Sequence, residues 1–174
     1  MAANTNSPFG FVPIGHITGS AIPEPHTYIV TTSQVIYKGD PVVITNAGSV
    51  SVAAAGVTTT HLGIAAEYVT DAVLASGTQV IHVYDDPGIL YRVQTKTGLT
   101  SAQAYIFYTA DIITYAVGSS TTKQSVMALD TCGTSSKPWI ITGLFPSPTN
   151  AWGDSSIVIV KYNQHVFLAP YAGL

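Results

Sequence analysis

Asp85 and Asp86 are the densest chemistry in the chain, two carboxylates side by side between the β-rich runs 80–84 and 89–94. A carboxylate pair can hold a metal or share acid–base work. Neighbouring residues of an extended strand point to opposite faces, however, and cannot act on one atom without a local bend. Asp ahead of Pro87-Gly88 is also what a turn uses to hold its own backbone amides. The turn reading therefore leads, with metal binding or catalysis as the other. The five histidines, at 16, 26, 61, 82 and 165, show no metal-binding spacing and are expected to be structural. Cys132 is the only cysteine, so the chain has no internal disulfide, and a small buried hydrophobe is expected there. The chain has no glycine-rich nucleotide loop, no H-E-x-x-H and no Ser nucleophile elbow. A Ser-His-Asp set or a hydrolytic pair built on Asp85 or Glu67 from distant segments stays open, because such sites are defined by geometry. The expectation is no enzyme, no metal and no cofactor.

The elements that position these residues are strands. Ile89, Tyr91 and Val93 alternate with Leu90, Arg92 and Gln94, the period of a half-buried strand. The preceding run, Val80–Tyr84, is apolar on both faces and reads as central. Asp86-Pro87-Gly88-Ile89 predicts a type II turn with positive φ at Gly88, in a four-residue loop or a corner and not a tight hairpin. Further strands are predicted over 27–31, 34–37, 41–45, 49–53, 62–69, 125–129, 139–145 and 157–162, the last nearly continuous in apolar residues and so central. A polar loop is read over 70–78. Residues 102–108 fit either a strand or one or two helical turns. Many short strands separated by Gly, Pro and Asn predict one all-β domain, a barrel or a sandwich, over 27–174.

Residues 1–26 differ. Prolines at 8, 13, 23 and 25 deny a helix and interrupt a ladder, so an extended N-terminal arm is expected. Phe9, Phe11 and Ile14 need a surface to lie on, either the chain's own domain or a neighbouring molecule. The interface candidates are Pro8, Phe9, Phe11, Val12, Pro13 and Ile14.

Composition narrows the partners. Of 174 residues, 47% are apolar and only 9% charged, against about 25% charged in a typical domain. Ser and Thr outnumber the charged residues by more than two to one. A surface of hydroxyls and backbone suits coverage by other subunits, and it also suits any Thr-rich β protein. Net charge is −3, and the six basic residues are scattered, so nucleic acid is disfavoured. The first seven residues lack the pattern of a signal peptide, and no apolar run approaches the ~20 residues of a membrane-spanning helix. The expectation is no membrane and synthesis in a cytoplasm.

Several stretches together carry a resemblance. These are Pro8-Phe9-Gly10-Phe11-Val12-Pro13 with Gly19-Ser20, the turn Tyr37 to Val42, the centre Tyr84 to Gln94, and Gly143-Leu144-Phe145 followed by Asn150, Gly153-Asp154, Ile157 to Lys161 and His165. Their order and spacing resemble the capsid decoration, or cement, proteins of tailed bacteriophages, over nearly the full length. The resemblance implies a β-tulip-like fold and a non-enzymatic protein on the outer surface of the virion. It further implies homotrimers at local three-fold positions, bracing the major capsid protein. A second reading is a carbohydrate-binding β-module for host adhesion, with Trp139, Trp152 and the tyrosines as its aromatic platform.

Overall fold

A computed structural model describes residues 4–31, 33–56, 60–70, 79–114 and 118–168. Eleven strands are seen among them. They form two antiparallel sheets that pack as a sandwich, which decides the barrel-or-sandwich question for the sandwich. The six-stranded sheet has the order β1 (Val12–His16), β7 (Ile89–Gln94), β11 (Ile157–Tyr162), β10 (Trp139–Leu144), β8 (Thr109–Thr114), β9 (Met127–Gly133). The five-stranded sheet runs β2 (His26–Ile29), β6 (Val80–Tyr84), β5 (Gly63–Ala65), β3 (Pro41–Ile44), β4 (Val50–Val52).

The Asp85-Asp86-Pro87-Gly88 link carries the chain from one sheet to the other, because β6 pairs with β2 and β5 while β7 pairs with β1 and β11. It is a corner, as expected, but its turn differs from the expected type. The Ile89 amide donates to the Asp86 carbonyl at 3.2 Å, and Gly88 is not among the positive-φ residues, which fits a type I turn. Glycine is needed at 88 for space: a Cβ there would stand 2.2 Å from His16 Nε2.

Period-2 patterning places the core. In β7 the residues 89, 91 and 93 are fully buried, and in β11 so are 158 and 160. With Phe11, Trp139, Ile141, Ile112 and Leu129 they make the larger apolar cluster. Val42, Val50, Ile81, Val83 and Leu62 centre the second, in the five-stranded sheet. β6 is not apolar-buried on both faces as expected, since Val80 and His82 are exposed.

Elsewhere the elements shift. Residues 34–37 contribute only an isolated bridge from Ile36 to Val69, and 62–69 shortens to β5. Residues 102–108 hold a 3-10 turn at Gln103–Tyr105, and β8 forms where periodicity gave no strand. The loop read over 70–78 lies, from 71 onward, outside the described residues.

The N-terminal segment is corrected most. Val12–His16 is an edge strand of the six-stranded sheet, paired with β7 and bulged between Pro13 and Gly15. Proline is tolerated there because an edge leaves one side of the backbone unpaired. Ahead of it, Gln94 holds the chain, donating to the Thr5 carbonyl and accepting from the Ser7 amide at 2.8 and 2.9 Å. Of the two surfaces open to the arm, its own domain takes it.

Candidate functional site

The outward face of the six-stranded sheet is the most distinctive surface. Pairing puts Val12 opposite Arg92, and Arg92 opposite Ile159. Since 91 and 93 point inward, Leu90 and Arg92 point outward, as do Ile157 and Ile159 on β11 and Ile140 on β10. All of these are half-buried. A solvated sheet face usually carries polar residues, and this one carries Ile, Leu and Val around the Arg92 guanidinium, with Lys161 opposite Ile140 as its second cation.

Arg92 is the only arginine of the chain. Its guanidinium carbon lies 5.5 Å from the centre of the Phe9 ring and 5.2 Å from that of Phe145, a cation held between two π faces. Its Nε is enclosed and has no acceptor among the described residues. Arg92 lines an open groove of about 340 Å³ with Pro8, Phe9, Val12, Thr122, Gln124, Ser125 and Val126.

The six interface candidates separate here. Phe11 is 1% exposed and stacks on Trp139 with ring centres 4.3 Å apart, so it belongs to the chain's own core and not to an interface. Gly10 beside it has φ +73°, and a Cβ there would meet that of Ser125 at 2.4 Å, so the chain dives under β9's approach only with glycine at 10. Pro8, Phe9 and Val12 line the groove, half-buried and reachable. Pro13 and Ile14 are half-buried at the edge strand's bulge.

The carboxylate corner is a separate arrangement. Asp85, 4% exposed, accepts hydrogen bonds from the Tyr28 hydroxyl and pairs with His26 Nδ1 at 2.8 Å. Burial, and then Asp85, push the Tyr28 hydroxyl well above the usual tyrosine range. Asp86 accepts the Gly88 amide at 2.6 Å and sits 3.3 Å from His16 Nε2, while His16 Nδ1 meets the Thr18 hydroxyl at 2.7 Å. The two carboxylates thus serve different partners, and Glu67 pairs with His82 at 2.6 Å on the outside of β6. Each pair ties a turn or a strand end. Ile17 also donates to the Gly88 carbonyl, so His16 and Asp86 lock the turn after β1 onto the corner.

No protein-family model matches the chain, and neither a curated protein nor a solved structure matches it. The residues themselves must carry the functional reading.

Two further observations bear on the alternatives. Trp139 is fully buried among Phe11, Tyr91 and Tyr162, so it cannot serve a sugar platform, and Trp152 is half-buried against the same core. His61 and His165 face each other across an isolated bridge, both fully buried and packed on Tyr162. Burial, helped by His165, lowers His61 to a pKa of about 3, so it is neutral at neutral pH. Burial also depresses His165, opposed by the Leu62 backbone carbonyl, which favours the protonated ring. Among the described residues, no group of three or more His, Cys, Asp or Glu is arranged to hold a metal ion.

Sequence reading passed over Arg92, Phe145, Ile157 and Ile159 as functional residues. One signal for them was present: β11 is apolar at alternate positions on both faces, which fits a docking face as well as a strand covered on both sides.

Proposed function

We propose that this protein decorates the head of a tailed bacteriophage. It binds the outer surface of the assembled shell as a homotrimer at local three-fold positions, contacts the major capsid protein and stabilises the shell by contact alone, without an enzymatic step. It would reach the virion after synthesis in the host cytoplasm. The observation that carries this reading is the outward face of β1, β7, β11 and β10, where Val12, Leu90, Ile140, Ile157 and Ile159 lie around Arg92, with Lys161 beside Ile140. Such a face gains from coverage by another protein, because apolar area leaves water and few ions must be stripped. The low charge of the whole chain and the resemblance carried by Pro8 to Pro13, Tyr84 to Gln94 and Ile157 to Lys161 support the same role. Exposed Ile29 and Val80, paired across β2 and β6, offer a second apolar spot for trimer contacts.

The thermodynamic mechanism is linkage. A ligand that binds only the assembled shell stabilises it by RT ln(1 + [L]/Kd), which is about 2.7 kcal/mol per site at a hundredfold excess over Kd. Repetition over many sites makes the gain large. The test mixes purified protein with shells lacking it. Co-sedimentation and a raised disruption temperature are expected, and absence of both refutes the proposal.

A further inference from the structure

We infer that the Arg92 groove is a seat for a carboxylate, an Asp or Glu side chain presented among apolar neighbours by the protein that docks on this face. Under the function proposed above, on which this identification of the partner rests, that protein is the shell subunit.

The argument is one of charge complementarity. Arg92 is a permanent cation on an apolar sheet face, flanked by Phe9 and Phe145, and no described carboxylate pairs with it. Among the described residues, His16, His26, His82 and Lys96 hold Asp86, Asp85, Glu67 and Asp130, and backbone amides hold Asp40, Asp111 and Asp154. The rings of Phe9 and Phe145 flank the guanidinium before any partner arrives, so less side-chain entropy is left to lose on docking. A planar fork held in place matches a carboxylate in two-point geometry, and covering the face would dry the pair and strengthen it. Burying this cation without a counter-charge would instead oppose docking. A phosphate polymer fits less well. The groove is lined by Pro8, Phe9, Val12, Arg92 and uncharged residues of 122–126 apart from Lys123, which is not among the lining residues, so it offers one cation where a phosphate chain needs several.

The single arginine supplies its own probe. In the 15N-labelled full chain, the Arg92 Nε–H resonance is unique and can be titrated with acetyl-Leu-Glu-Leu-amide, with its Gln counterpart, and with inorganic phosphate. The expected result is a saturable shift with the Glu peptide, with at least tenfold weaker responses to the Gln peptide and to phosphate. No response to the Glu peptide, or an equal response to phosphate, overturns the seat. On shells, Arg92→Gln with an unchanged melting temperature should raise the half-saturating concentration at least tenfold, and Arg92→Lys should fall between the two. If the wild type binds shells and both variants bind equally well, the seat is refuted while the decoration role stands. If the Glu peptide titrates but shells do not bind, the seat stands and the shell is not its partner.

Discussion

Replacing Phe11 with Ala tests whether the N-terminal segment belongs to the fold or to an interface. The ring is 1% exposed and stacks on Trp139 with ring centres 4.3 Å apart and planes 25° apart, within a cluster that includes Tyr91, Tyr162 and Ile141. Truncating a buried Phe costs about 3–5 kcal/mol in lost transfer energy and residual cavity. The neighbours here are large and fixed on strands, so collapse into the hole is limited, and the upper half of that range is expected. The entropy of unfolding, at about 2.1 cal/mol/K per residue, implies that such a loss lowers the melting temperature by roughly 11–14 °C. Phe9→Ala is the control. Phe9 is half-buried on the groove and should lose under about 1 kcal/mol while weakening shell attachment. Deleting residues 1–15 removes Phe11 and most of β1 together and should leave no cooperatively folded domain. Thermal and urea unfolding measure all three. A Phe11→Ala variant within about 1 kcal/mol of wild type, or a folded 16–174 chain, would refute the packing argument.

Two other outcomes follow from the interior. His61 has a pKa of about 3 in the fold against 6.5 unfolded, so between those values the unfolded chain binds more protons and stability falls as pH falls. Asp40 acts in the opposite direction: burial raises it from 3.8 to about 6 despite hydrogen bonds from Ser125 and Tyr37, so protonation below pH 6 favours the fold. His61 therefore contributes a loss on the order of 4–5 kcal/mol down to pH 3, partly offset by about 3 kcal/mol from Asp40. Urea titrations at pH 7 and pH 4 should show a steeper acid loss in Asp40→Asn than in wild type, and a shallower one in His61→Leu. Gly10→Ala combines positive φ with a clash on Ser125 and should cost at least about 2 kcal/mol by urea unfolding, whereas Gly98→Ala, with open space around it, should cost only the φ strain of about 1 kcal/mol.

The sequence by itself determined the local alternations. Residues 89–94 and 50–52 declare strands because the apolar period matches the pleat, 157–162 because a short β-branched apolar run suits a strand, and Asp86-Pro87-Gly88 declares a turn by its turn-forming residues. It also determined that Asp85 and Asp86 would serve different partners, since consecutive side chains diverge. Only the tertiary structure decided which sheet each strand joins, because pairing is a contact between distant residues and leaves no mark on either alone. So the corner's two arms could be read as strands, but not as members of opposite sheets. Phe11 and Phe9 look alike in sequence, two residues apart among prolines and glycines; the fold buries one under Trp139 and leaves the other beside Arg92. Arg92 brings together positions 9, 92 and 145, and no spacing rule links residues that meet only when β1, β7, β11 and β10 pair side by side in one sheet.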